Sequence, residues 1–260
     1  MKSEVLFGPA GLGPTKSAIA TLEAFHAQGL RACELAFTHG AYIKSEQDAR
    51  AIGKRATELG IELSIHAPYF VNLNSEDAEK RAKTRERIME CCKVGEWLGA
   101  KVVVFHPGYY REGVDRIQAY TVVKEGILEL MKEIQRNKWK IQLAPETMGK
   151  VNVFGSIDEI SRLAQETGCA VCIDFAHILA RDKKVDYALI LKAFPQEEWH
   201  VHFSGIVYGE KGEKHHIKTG TKEWKELLAH LPAGKKIRII NESPDMVADA
   251  VTGIKLWKKI

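Results

Sequence analysis

The chain has 260 residues, 45% of them apolar and 28% charged, with a formal net charge of +4. Such a composition supports a large core and excludes a disordered or fibrous chain, and the absence of any apolar run of about eighteen residues excludes a membrane-spanning helix. The slight excess of positive charge permits a phosphate-rich partner without requiring one.

In chain order, short apolar runs alternate with helical stretches eight times. The predicted strands cover 4–7, 32–37, 62–66, 101–106, 140–144, 170–174, 200–203 and 236–241. Each is rich in Val, Ile, Leu or Phe and nearly continuous in hydrophobicity, the pattern of strands buried on both faces. The predicted helices cover 17–28, 45–59, 76–98, 114–135, 156–167, 186–194, 221–229 and 244–257. The first three stop before Gly29, Gly60 and Gly99, residues suited to ending a helix. Ser156 and Glu159 have capping-box spacing.

Strand–helix alternation implies parallel βαβ units. Eight units with no Pro/Ser-rich linker predict one α/β domain over 1–260, a closed (β/α)₈ TIM barrel with its site at the C-terminal ends of the strands. The alternative, a doubly wound open sheet, would gather its site at one switch point. Two polar stretches, 66–77 and 204–220, read as long loops on the functional face. The N-terminus enters a strand at once and lacks a signal-peptide core, so a cytoplasmic protein without membrane association is expected. The five cysteines are odd in number and read as small buried hydrophobes. Cys169 and Cys172 form a CxxC, but a strand points its two thiols to opposite faces.

Six residues share one position, just after an apolar run: His66, His106, Glu146, Asp174, His202 and Glu242. Alone, each has a bland reading: a satisfied polar histidine, a carboxylate paired with a cation, or, for Asp174, the N-cap of a short turn. In register at the ends of barrel strands, they converge on the barrel axis and form a metal site. His177 follows Asp174 by three residues, and Glu213 and His215 follow in the Gly-rich stretch. His216, beside His215, offers the same chemistry. His26, His39, His200 and His230 lie off the strand-end register and carry no role in this reading. Nine donors are too many for one ion and suit about three ions at three to four donors each. Imidazole with carboxylate favours zinc and also admits manganese or another divalent metal.

These segments resemble the endonuclease IV family of zinc-dependent apurinic/apyrimidinic endonucleases, on the xylose-isomerase-like barrel, from about Leu35 to Glu242. "HAPYFVNLN" is similar to the family's H-x-x-Y signature, "FHPG" to the segment around its second His, and "PETMG" to its bridging-Glu segment. "VCIDFAH" resembles its C-[aliphatic]-D-T-C-H, "EKHH" its D-R-H-H, and "NES" its final ligand segment. The resemblance implies His66, His106 and Glu146 around one ion, and Glu146, Asp174, His202 and Glu242 around a second. It implies His177, Glu213 and His215 around a third, and Tyr69 as a residue inserted into DNA. The chain departs from the pattern at Glu213, which replaces Asp, and at Phe175 and Ala176, which replace Thr and Cys. It also has "FSG" near His202, where the family has Asn-Asp. The loop at 38–45 lacks the family's inserted Arg and holds Tyr42 as a candidate DNA contact.

The implied reaction is hydrolysis of the phosphodiester 5′ to an abasic site in double-stranded DNA, a step of base excision repair. Glu146 would be the catalytic carboxylate that orients the attacking oxygen, in a chain acting as a monomer. Lys44, Arg111, Lys211, Lys214 and Lys218 could meet phosphates. The rival is a divalent-metal-dependent sugar isomerase or epimerase using Glu146, Asp174, His202 and Glu242 around one ion. A third reading is a metal-bound nucleic-acid-binding module without turnover.

Overall fold

The computed structural model describes residues 3–260. The first half runs β1 (Glu4–Pro9), α1 (Ala18–Ala27), β2 (Ala32–Ala36), α2 (Glu46–Glu58), β3 (Glu62–His66), α3 (Ala78–Leu98), β4 (Val102–Phe105), β5 (Gly108–Tyr109) and α4 (Arg116–Arg136). The second half runs β6 (Gln142–Pro145), β7 (Val153–Phe154), α5 (Ile157–Thr167), β8 (Cys172–Asp174), α6 (Phe175–Asp182), α7 (Tyr187–Ala193), β9 (Glu198–Phe203), β10 (Gly205–Gly209), β11 (Gly212–Ile217), α8 (Thr221–Ala229), β12 (Lys236–Asn241) and α9 (Met246–Trp257). All eight predicted strands are present, with edges moved by at most two residues.

Two parallel four-stranded ladders, β2-β3-β4-β6 and β1-β12-β9-β8, make the barrel. They meet at two seams. At one, Glu146 bridges Cys172 in parallel register, and the Thr147 N–H donates to the Cys172 carbonyl at 3.0 Å. At the other, the Arg31 N–H donates to the Phe7 carbonyl at 3.0 Å. Gly8 makes this second seam possible, since a Cβ there would stand 1.8 Å from the Ala32 carbonyl oxygen.

Helix starts follow the side chains. Ser45, Asp77 and Asp115 each accept a hydrogen bond from the first turn of α2, α3 and α4, and Ser156 with Glu159 closes the capping box of α5. Each such cap contributes about 1 kcal/mol. Helix α4 buries Tyr120, Val123, Ile127, Leu130 and Ile134, spaced three or four apart along one stripe. Burying each such large apolar side chain contributes roughly 1.5–3 kcal/mol.

The barrel interior follows from period two. Lateral registers set Cys172 beside His200 and His200 beside Arg238, and, one step up, Asp174 beside His202 and His202 beside Ile240. Glu34 pairs with Ser64 and Ala36 with His66. Residues two apart on one strand therefore share the inward face, in stacked layers. The small group Val102, Val104, Ala144 and Cys172 forms an apolar cluster separate from the main core between sheet and helices.

Two sequence readings change. The stretch 204–220 is a β-hairpin rather than a loop, with β10 and β11 antiparallel and a bulge at Val207/Tyr208. Residues 175–182 form a helix absent from the predicted set; Asp174 caps it, accepting from the His177 N–H at 2.7 Å. Apolar periodicity is weak in so short a helix, and its start signal lies inside a strand end. All five cysteines are buried and unpaired. Among the described residues no helix is long and apolar enough to cross a membrane.

Candidate metal centre

At the C-terminal mouth of the barrel a cavity of about 360 Å³ opens over His66, His106, His177, Glu213, His216 and Glu242. A larger groove of about 930 Å³ lies outside, between α3 and α4, away from these residues.

Three groups of donor atoms converge here, each with its atoms within 4.8 Å of one another: His66, His106 and Glu146; Glu146, Asp174, His202 and Glu242; His177, Glu213 and His216. Glu146 belongs to the first two. Its Oε2 lies 3.4 Å from His66 Nε2 and 3.2 Å from His106 Nε2. Its Oε1 lies 3.1 Å from His202 Nδ1 and 3.3 Å from His177 Nδ1. His177 Nε2 faces Glu213 Oε2 at 3.5 Å.

Every donor proposed from sequence enters a group except His215. It is exposed, and His216 stands in its place. The bulge explains the exchange. It sets Glu213 opposite Tyr208 and His215 opposite Val207, leaving Lys214 as the extra residue. An extra residue reverses the alternation of faces beyond it, so Glu213 shares its face with the residue three ahead.

Several imidazoles have one nitrogen committed to the protein and the other turned toward a group. His66 Nδ1 lies 2.6 Å from the Ala67 carbonyl, His177 Nδ1 lies 3.0 Å from the Thr147 carbonyl, and His216 Nδ1 lies 2.6 Å from Ser204 Oγ. An N–H donated to the carbonyl of Ala67 or Thr147 selects the tautomer that leaves Nε2 free for an ion.

The donors suit a divalent cation. Asp174 uses Oδ1 to cap α6, while its buried Oδ2 has no hydrogen-bond partner. Its one close neighbour is His177 Nδ1, 3.3 Å away and not aligned for a hydrogen bond; a buried carboxylate oxygen so poorly served is costly, and a cation would satisfy it. Gly149 lines the cradle: a Cβ there would stand 2.8 Å from Glu213 Cβ and 2.9 Å from His177 Cδ2.

The electrostatics are those of interleaved opposite charges. Burial alone would raise the Glu146 carboxyl, but His202, His106 and His177 hold it well below the ordinary carboxylate range. Burial pushes Asp174 up to about 6, with Glu146 and Glu242 adding to it and His177 opposing. Burial disfavours the charged forms of His177 and His202, yet the surrounding acids hold both well above the usual imidazole value. At His106 burial prevails and the value falls.

The aromatic candidates separate. Tyr69, 41% exposed, lies over the site, its ring 4.7 Å from His66 and 5.3 Å from His106. Tyr42 lies off the cavity, bonded through its hydroxyl to the Gly13 carbonyl at 3.1 Å. Four residues at or near the site escaped sequence reasoning. Tyr109 and Lys150 line the cavity. Glu34 and His200 sit one layer below, fully buried, with Glu34 Oε2 2.9 Å from His200 Nε2. The signal for this pair was a charged residue inside "ACELA" and a histidine two places before His202, hence on the same face.

The xylose isomerase-like TIM barrel family matches residues 22–260. An uncharacterized protein of Methanocaldococcus jannaschii is 31% identical over 98% of each chain. The probable endonuclease 4 of Acholeplasma laidlawii is 32% identical over 51% of this chain, and the match spans 46% of that protein's length. Endonuclease IV of Thermus thermophilus superposes with a TM-score of 0.70 at 22% identity, over 98% of this chain and 99% of that one. D-psicose 3-epimerase of Clostridium cellulolyticum does so with a TM-score of 0.71 at 12% identity, over 100% and 99%. At such identities the structural likeness concerns the fold alone.

Proposed function

The chain belongs to the xylose isomerase-like TIM barrel family, and on that footing we propose that it is a metal-dependent phosphodiester hydrolase of the endonuclease IV type, cutting double-stranded DNA 5′ to abasic sites. The observation that carries this reading is the third donor group. His177, Glu213 and His216 adjoin the other two groups in one cavity, whereas a sugar enzyme with one ion has no use for them.

His66, His106 and Glu146 would hold one ion, and Glu146, Asp174, His202 and Glu242 a second. His177, Glu213 and His216 would hold a third, making about three zinc ions per chain. Bound divalent ions supply Lewis acidity at phosphate oxygens and a lower pKa for water. Glu146, reaching two groups at once, orients the attacking water. A water oxygen bonds to phosphorus, the bond from phosphorus to the 3′ oxygen breaks, and that oxygen leaves as a 3′-hydroxyl after taking up a proton. Tyr69 offers its ring to the space where a base is missing, and an abasic nucleotide costs little to flip because it has no base to unstack. Lys150, at the cavity wall, offers a cation to the phosphate backbone. Tyr42 stands farther out, as a second DNA contact. A monomer working in the cytoplasm in base excision repair completes the proposal.

One observation favours a sugar isomerase or epimerase instead: Glu146, Asp174, His202 and Glu242 form a complete four-donor group by themselves. Metal analysis together with incubation on an abasic-site duplex separates the readings. About three zinc per chain and chelator-sensitive nicking support the nuclease. One ion per chain, intact duplex and turnover of a ketose overturn it.

A further inference from the structure

We propose that Glu34 is the positioning residue for His202, holding its imidazole from the layer below so that Nδ1 faces the metal centre. This rests on the metal-binding part of the reading above and not on the identity of the substrate.

Glu34 lies fully buried in the middle of β2, between Cys33 and Leu35. Barrel interiors are ordinarily filled by branched apolar side chains, so a carboxylate there calls for partners. It has them on three sides. Ser64 Oγ donates to Oε2 at 2.8 Å, and His200 Nε2 lies 2.9 Å from the same oxygen. The other oxygen, Oε1, lies 2.9 Å from His202 Nε2. Ser64 and His200 fix the plane of the carboxylate, and Oε1 is left for His202 alone.

His202 has no backbone carbonyl in the role that Ala67 plays for His66 and Thr147 for His177. Cys172 Sγ shares its surroundings, but a thiol is a weak partner. Glu34 is the acceptor placed to supply what the carbonyls supply elsewhere: its Oε1 faces Nε2, and a proton held on that nitrogen leaves Nδ1, turned toward Glu146 and Glu242 at 3.1 and 3.5 Å, free for an ion. An anionic acceptor does more than a carbonyl, since it raises the basicity of the bound ring. Glu34 Oε1 and His202 Nε2 are close but off the N–H axis, and each still lacks an aligned partner.

The test uses the full chain loaded with zinc, wild type beside Glu34→Gln. It reads zinc affinity by competition with a chromophoric chelator, and the histidine rings by long-range ¹H–¹⁵N correlation spectra. The expected result is a folded variant binding zinc about 10–100-fold more weakly, with the His202 signals alone shifted from a single Nε2–H form. Unchanged affinity with an unchanged His202 spectrum overturns the proposal. So does disturbance spread equally over His66 and His177, which marks collapse of the layer rather than a hold on one ring. Should Glu34→Gln fail to fold, Glu34→Asp replaces it, keeping the charge but withdrawing it by one methylene, with the same two readouts deciding. A wild-type chain that binds no zinc overturns the metal reading itself, whereas zinc binding without nicking leaves Glu34 testable and removes only the nuclease.

Discussion

Glu213 Oε1 and His216 Nε2 lie 3.9 Å apart on one face of a hairpin, although two residues separate them in a strand that should alternate. The bulge at Lys214 makes them neighbours and turns His215 to solvent. His216→Ala should therefore release about one of the three proposed ions, while His215→Ala keeps wild-type metal content. Elemental analysis of the two variants decides it, and loss confined to His215→Ala would show that the hairpin carries the opposite parity.

Gly149 is the floor against which that third group rests. A methyl group there meets Glu213 and His177 at under 3 Å, and overpacking of this kind typically costs about 1–3 kcal/mol. Gly149→Ala should lower the melting temperature and weaken the third site while sparing the other two. Calorimetry with metal titration measures both effects; an unaltered third site would mean the cradle has slack.

Glu146→Gln keeps the volume and removes the charge shared by two donor groups. The fold should persist, and cleavage of the abasic duplex should fall by on the order of 10²–10⁴-fold. Circular dichroism and a nicking assay check the two halves. Near-normal cleavage would refute the role given to Glu146.

Metal affinity should rise with pH. His177 and His202, held above the ordinary imidazole value by the acids around them, must give up protons to bind an ion, and Asp174, at about 6, must do so as well. Protons therefore compete with the ion at low pH, most severely below about 6, where Asp174 is protonated too. Chelator competition across that range tests the sign; affinity independent of pH contradicts it.

At the opposite end of the barrel, Glu62 on β3 pairs with Lys236 and Arg238 on β12, and Arg238 also reaches Glu198 on β9. Burial alone would raise the Glu62 carboxyl, but the hydrogen bonds from Lys236 and Arg238 lower it below its ordinary 4.5. A depressed folded value stabilises the protein above the unfolded value, near 4.5, and that contribution disappears as pH falls through the folded value. Glu62→Gln should thus cost about 1–3 kcal/mol at neutral pH and progressively less below pH ~4. Denaturant titrations at several pH values test this, and a cost that persists undiminished in strong acid rules it out.

The eight-fold alternation and the placing of six imidazoles and carboxylates at strand ends were legible in the amino-acid order because both are properties of single segments. Continuous apolar runs mark strands covered on both faces, and an imidazole or carboxylate closing such a run lies at the barrel mouth wherever the strand sits. The hairpin was not legible, since its bulge depends on how β10 and β11 pair, and one extra residue exchanged His215 for His216. Nor was the contact between Glu34 and His202, 168 positions apart in the chain. It exists only because closure of the barrel brings β2 and β9 to face each other across the axis. Local patterning determines which way a side chain points relative to its own strand; which side chain it then meets is decided by the lateral order and register of strands remote in sequence, and only the closed tertiary structure holds that information.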